Sequence, residues 1–229
     1  MNKELVKKIL TYAGIILFFA VVAYSFVPQV LDGKIVNQSD ISGWKGMAQE
    51  ANAYNKANPD DKTAWTNSMF GGMPTTATID DFHGDWTDYI YDFLLTGRRP
   101  ATYLFLTLVG AFLLMLSMGM NGIVAVAGAI AVAFCSYNMQ IIQVGHNTKM
   151  QAIAYFPWVL AGVIYTYRAA LGQTRRSASR NDIKGWLPET ILGATLFAFA
   201  LSMQIKANHI QITYYLAIVI FVYAFALLI

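Results

Sequence analysis

Six long apolar runs constrain what this chain can fold into more than any other feature of its sequence. A helix needs about 20 predominantly apolar residues to cross a hydrocarbon core of roughly 30 Å. The chain is 56% hydrophobic and only 13% charged, unlike an ordinary soluble domain. We therefore predict an all-α, polytopic membrane protein with six transmembrane helices. The predicted spans are residues 9–27, 101–118, 122–137, 151–167, 187–205 and 212–229.

The basic residues predict the orientation of these spans. Lys3, Lys7 and Lys8 precede the first span, and a basic linker at residues 168–186 follows the fourth. Cytoplasmic segments carry an excess of Lys and Arg, and an even number of spans separates these two segments, so both fall on the same side. We predict a cytoplasmic N-terminus and place residues 28–100, the first large loop, outside the cytoplasm.

The loop at residues 28–100 carries most of the acidic residues. It holds ten of the thirteen in the chain and only six basic ones, which gives it a net charge of −4 and disfavours a nucleic-acid partner. Apolar residues at helical spacing predict two helices on the membrane surface, at residues 42–55 and 79–96. Gly71 and Gly72 predict a constrained turn between them.

Three polar segments meet on the predicted outer face: the loop around Asp40, the stretch from His146 to Lys149, and the stretch from Lys206 to Gln211. A carboxylate, imidazoles and amines beside lipid suit an amphiphilic, phosphorylated substrate. We predict that Asp40 is catalytic and takes a proton from an acceptor hydroxyl. The predicted substrate- or phosphate-binding residues are His146, Lys149, His209, Gln211 and Arg98. Secondary candidates are Gln38, Glu50 and Asn67.

Each candidate also has a purely structural interpretation. Asp40 in this position is typical of a helix N-cap, and Glu50 of a solvated surface charge. His146 and His209 suit polar caps at the ends of spans, and Lys149 suits a side chain that reaches the membrane interface. No metal site is predicted, because no close-spaced ligand motif is present. A divalent cation held by Asp40 and the two histidines stays an alternative, and no other cofactor is expected.

Several strings in the chain resemble one family. They are Asn-Gln-Ser-Asp at residues 37–40, Trp-x-Gly at 44–46, Trp-Thr-Asn-Ser-Met-Phe-Gly-Gly-Met-Pro at 65–74, Gly-His-Asn-Thr-Lys at 145–149 and Asn-His-Ile-Gln-Ile-Thr-Tyr-Tyr at 208–215. With these strings, essentially the whole chain resembles the N-terminal part of YfhO-family bacterial membrane proteins, in their Bacteroidetes-like form. That family is similar to GT-C-type glycosyltransferases.

The resemblance implies a fold and a reaction. It implies a GT-C-like N-terminal half with an essential acid in the first outer loop, and by position that acid is Asp40. It implies transfer of a sugar from a polyprenyl-phosphate carrier to a glycan or protein acceptor of the cell envelope, outside the bacterial cytoplasmic membrane. Family members are much longer, and the last span stops without a polar flank. We therefore expect this chain to be an N-terminal part that is inactive alone.

Two other functions fit the same residues. A transporter or flippase-like translocator of an envelope lipid or glycan would line a path with them, and a membrane assembly protein would use them without catalysis. A transporter is expected to have broken or charged helices near the middle of the membrane. The apolar centres of the predicted spans favour chemistry at the outer surface.

Overall fold

The computed structural model describes residues 3–34, 36–75, 87–95, 99–174 and 183–227. The fold is all-α, as predicted, with one minimal β-hairpin. The helices are α1 (Lys3–Phe26), α2 (Ser39–Ala57), α3 (Thr87–Leu95), α4 (Ala101–Ser117), α5 (Gly122–Ala133), α6 (Ser136–Val144), α7 (Asn147–Ala170), α8 (Ile183–Lys206) and α9 (Ile210–Ala226), with a short 3-10 helix at Pro28–Asp32. The hairpin strands are β1 (Trp65–Thr66) and β2 (Met73–Pro74), which pair antiparallel with Trp65 opposite Pro74.

The helices identify a membrane protein. By length and composition, two segments are able to cross a membrane, Lys3–Phe26 and Lys184–Lys206. The bent pair of α5 and α6 makes a third if it forms one span, while α4 and α9 are apolar but shorter. The six-span topology stays a prediction.

The span predicted at residues 122–137 is interrupted. The helix ends at Ala133 and resumes at Ser136 with a bend of 42°. Neither Pro nor Gly marks this break in the sequence. Instead, the buried Asn138 amide donates to the carbonyls of Val132 (3.0 Å) and Ala133 (3.2 Å), which satisfies acceptors that the broken helix leaves free.

Several helices begin earlier than the sequence predicts, and two of these differences concern candidate residues. Helix α2 begins at Ser39 instead of residue 42, and Gln38 is its N-cap. Helix α7 begins at Asn147 instead of residue 151 and continues through Pro157. Lys149 therefore lies in the first turn of a long helix and not in a loop.

Close backbone packing organises the helices around α7. A methyl group on Gly110 of α4 would overlap the Trp158 indole of α7, whose Nε1 donates to the Leu106 carbonyl at 2.8 Å. Where α7 packs against α8, a Cβ on Gly162 would lie 2.5 Å from the Phe197 backbone nitrogen of α8. Small residues of this kind let helices approach closely in lipid, where hydrophobic burial does not drive their association.

The α2 helix and the hairpin form a separate unit, which we call the outer unit (residues 36–75). Only Ala48 and Ala51 of α2 are buried. The two glycines of the hairpin adopt positive φ angles of 74° and 119°, and Trp65 packs against Gly72, so the constrained turn is present. The second predicted surface helix, residues 79–96, is described only for α3, because residues 76–86 and 96–98 lie outside the described part of the chain.

We expect Gly162→Ala to destabilise the protein, because the added methyl group meets the α8 backbone and not a flexible side-chain end. Overpacking of this kind costs about 1–3 kcal/mol. The midpoint of thermal unfolding in detergent measures the loss. Gly14→Ala in α1 is the matched control, since nothing lies within 4 Å of its added Cβ. An unchanged midpoint for Gly162→Ala would contradict the proposed packing.

Candidate functional site

Gln38 fixes the outer unit to the turn between α6 and α7. It is only 6% exposed, its Nε2 donates to the Ile142 carbonyl, and its Oε1 accepts from Asn147 Nδ2 at 3.4 Å. Gly145 allows this approach: its φ is +101°, and a Cβ there would lie 2.6 Å from the Gln38 Cβ. Two segments more than 100 residues apart are thereby held together.

The side chains of Asp40 and His146 are in direct contact here. The distance from Asp40 Oδ2 to His146 Nδ1 is 2.9 Å, and the two side chains are 48% and 45% exposed. Asp40 lies in the first turn of α2, after the N-cap residue Gln38, so its interpretation as an N-cap is wrong. The contact brings together the predicted catalytic acid and a predicted substrate-binding imidazole, and leaves both accessible from outside.

Lys149 and His209 lie close to this pair. Lys149 Nζ is 5.3 Å from the centre of the Tyr137 ring, a cation–π contact. Burial lowers the pKa of His209; a backbone hydrogen bond opposes this shift, and the positive charges of Lys149 and His146 add to it. The neutral imidazole of His209 is therefore favoured. Gln211, in the first turn of α9, donates to the Tyr215 hydroxyl at 2.9 Å.

A cavity of about 640 Å³ begins beside these polar groups, between α4, α5, α6, α7 and α9. One face of α7 forms much of its wall. The wall residues of α7 are Lys149, Ile153, Phe156, Pro157 and Leu160. From Lys149 to Leu160 the helix advances about 16 Å, at 1.5 Å per residue, which is about half of a hydrocarbon core. The cavity is thus an apolar groove with an amine at one end.

Glu50 and Asn67 serve a different purpose from the predicted one. The Glu50 carboxylate accepts from the Thr66 hydroxyl at 2.7 Å and from the Asn67 backbone N–H at 3.0 Å. The Asn67 side chain accepts from the Trp65 indole N–H at 3.1 Å. Both residues therefore hold the hairpin on α2, and neither contacts Asp40 or His146.

Of the remaining candidates, only Lys206 lies in the described part of the chain. Arg98 lies outside the described residues. Lys206 Nζ donates to the Thr87 hydroxyl of α3 at 2.8 Å. Within the described ranges, no group of three or more His, Cys, Asp or Glu side chains is arranged to hold a metal ion. The alternative of a divalent cation on Asp40, His146 and His209 thus gains no support from their arrangement.

The sequence does not predict Tyr137 or Asn147 as candidates for the site. It indicates that Tyr137 ends an apolar span, whereas in the structure the residue faces the Lys149 amine in the groove. Asn147 belongs to the Gly-His-Asn-Thr-Lys string, and its amide completes the Gln38 contact. The signal available in the sequence was their position beside His146 and Lys149.

Comparison of the chain with protein-family models, curated proteins and solved structures finds no match in any of the three. The functional argument therefore depends on the geometry of the site.

We expect attachment of the hairpin to weaken in acid. The hydrogen bond from Thr66 lowers the pKa of Glu50 below its ordinary value of 4.5, desolvation opposes this, and the Asn67 and Ser68 N–H groups add to the lowering. A carboxylate with a lowered folded-state pKa contributes stability that is lost as the pH falls through that pKa. The NMR signal of the Trp65 indole N–H, followed against pH, measures the transition.

The control variant is Glu50→Gln, which keeps the shape of the side chain and removes its titration. Its Trp65 signal should not move across the same pH range. A transition above pH 4.5, or one that persists in the Gln variant, would show that another group is responsible.

Proposed function

We propose that the chain binds a polyprenyl phosphate carrying a sugar and transfers that sugar to an acceptor hydroxyl of the cell envelope. In this proposal it is a GT-C-type, YfhO-like protein with six spans. Its N-terminus lies in the cytoplasm of a bacterium, and its site faces outward from the cytoplasmic membrane. No metal ion takes part in the proposed step.

One stripe of α7 carries the proposal. Lys149, Ile153, Phe156 and Leu160 recur at spacings of three and four residues, so they follow one side of the helix, and His146 is the N-cap residue just before it. From the N-cap along this stripe come an imidazole paired with a carboxylate, then an amine, then an apolar groove. A lipid phosphate presents the matching groups in the same order: the sugar, the anionic phosphate and the apolar chain.

The ligand's charge explains the role of Lys149. The sugar-bearing phosphodiester has one negative charge, and the polyprenyl phosphate released on transfer develops a second. An amine at the end of the groove stabilises both, and more strongly away from bulk water. The cation–π contact with Tyr137 holds the amine at the groove while no phosphate is bound.

We expect the chain in lipid nanodiscs to bind a polyprenyl phosphate more tightly than the uncharged polyprenol of equal length, as measured by native mass spectrometry. Lys149→Ala should weaken phosphate binding about 10-fold or more, the size of a lost charge-assisted hydrogen bond. It should leave polyprenol binding unchanged. Lys45→Ala, an exposed lysine on α2, is the charge-matched control. Equal loss in both variants would contradict a specific role for Lys149.

Transfer itself is measured with a donor labelled in its sugar, added to vesicles that contain the full-length protein and envelope acceptors. The label should leave the lipid fraction, and Asp40→Asn should slow this about 100-fold or more, the range of acid–base catalysis. Asp60→Asn, an exposed acid in the turn after α2, is the control and should not slow it. Transfer by Asp40→Asn at the normal rate would refute the proposal.

A further inference from the structure

The geometry of the Asp40–His146 contact suggests separate roles for the two residues, which the sequence alone does not indicate. The atoms in contact are Asp40 Oδ2 and His146 Nδ1, 2.9 Å apart. A carboxylate only accepts hydrogen bonds, so the proton of a neutral imidazole in this contact lies on Nδ1. The lone pair is then on Nε2, on the opposite side of the ring. Within the described part of the chain, no residue forms a hydrogen bond with that nitrogen.

We infer that His146 is the group that takes the proton from the acceptor hydroxyl, through Nε2, and that Asp40 is a positioning residue that orients the ring. This inference rests on the proposed transfer reaction and changes the role first given to Asp40. In this kind of pair, a buried or half-buried carboxylate fixes the tautomer of a catalytic imidazole.

The surroundings of the pair suit this role. His146 is 45% exposed, so an acceptor hydroxyl has access to the ring. Asp40, in the first turn of α2, contacts the ring, and His209, just before α9, lies close enough to interact with it electrostatically. Asp40 stabilises the imidazolium that forms on proton transfer. The neutral form favoured by burial of His209 adds no opposing charge.

In the proposed step, the acceptor oxygen attacks the anomeric carbon of the sugar and forms the new C–O bond. The bond between that carbon and the phosphate oxygen breaks, and its electron pair leaves with the polyprenyl phosphate beside Lys149. The hydroxyl proton passes to His146 Nε2 and is later released to water. No oxidant, reductant or metal ion is needed.

The hydrogen bonds of Gln38 hold Asp40 in position opposite His146. The Gln38 amide bonds to Ile142 on α6 and Asn147 on α7, on either side of Gly145. Asp40 follows two residues later, and its carboxylate contacts His146, the residue between Gly145 and Asn147. Loss of the Gln38 contact should therefore release Asp40 from His146 without altering either side chain.

Nitrogen NMR of the ¹⁵N-histidine-labelled protein in detergent tests the inference without any substrate. The chain has three histidines, and His146→Gln identifies the His146 signals. Where the His146 ring carries a single proton, we expect that proton on Nδ1, the nitrogen that faces Asp40. Asp40→Ala should move the proton to Nε2, the tautomer preferred by an imidazole free of partners, and Gln38→Ala should do so in part. Asp60→Ala is the control and should leave the Nδ1 tautomer in place.

A singly protonated His146 with its proton on Nε2 in the unaltered protein, or a tautomer that Asp40→Ala does not change, would overturn the inference. Because this readout requires no turnover, it holds even if the proposed transfer reaction is wrong. Absence of transfer by the unaltered protein would refute the function and leave the tautomer result standing.

Measurement of sugar transfer further distinguishes a base role for His146 from a positioning role for Asp40. If His146 is the base and Asp40 acts through it, His146→Gln should slow transfer at least as much as Asp40→Asn, about 100-fold or more. The double variant should then be no slower than His146→Gln alone, because residues that act as one unit are not additive. Normal transfer by His146→Gln, or losses that multiply in the double variant, would show that Asp40 acts independently.

Discussion

The close approach of α7 to α4 and α8 is the constraint on which the rest of the structure depends. In lipid the hydrophobic effect does not draw helices together, so association depends on backbone proximity and satisfied polar groups. Gly110 and Gly162 supply the proximity of α7 to α4 and α8, and the Trp158 indole N–H is satisfied by a carbonyl of α4. A fixed α7 in turn fixes the stripe that begins with Lys149, after the N-cap residue His146, and continues into the apolar groove.

The outer unit is held by a different kind of interaction. Where the helices pack through glycine and apolar surface, the start of α2 docks through the Gln38 amide, which bonds to both neighbouring helices. A small polar contact specifies direction as well as proximity, because an amide has separate donor and acceptor sides. It therefore sets the register of α2, and with it the position of Asp40 opposite His146. Gly145 is needed because a side chain there would occupy the space of Gln38.

The sequence predicts the helical class well and the contacts less well. Apolar runs mark most of the long helices to within a few residues, and Lys149 and Gln211, both named as candidates, line the same groove. The interrupted span was missed because Asn138 compensates for the break through its side chain, a signal that periodicity does not carry. Glu50 was taken for a candidate in the site because composition does not tell which loop residue faces Thr66.

Two features of the helices bear on passage through the membrane. The break between α5 and α6, beside the buried Asn138, is the broken helix expected of a transporter, whereas the helix hydroxyls offer no such path. Hydroxyls within the helices donate to carbonyls four residues earlier, as in Thr107, Thr166 and Thr195, so they are not available to a passing solute. A translocation path needs exchangeable polar groups near the middle of the membrane. Among the described residues, the buried side-chain atoms of Gln151 and Gln204 that lack a hydrogen bond lie near the end that carries the Asp40–His146 pair, and that of Trp186 lies at the opposite end. An assembly protein has no need of a half-exposed acid–imidazole pair beside an amine and an apolar groove, whereas a reaction on a lipid phosphate requires all three together.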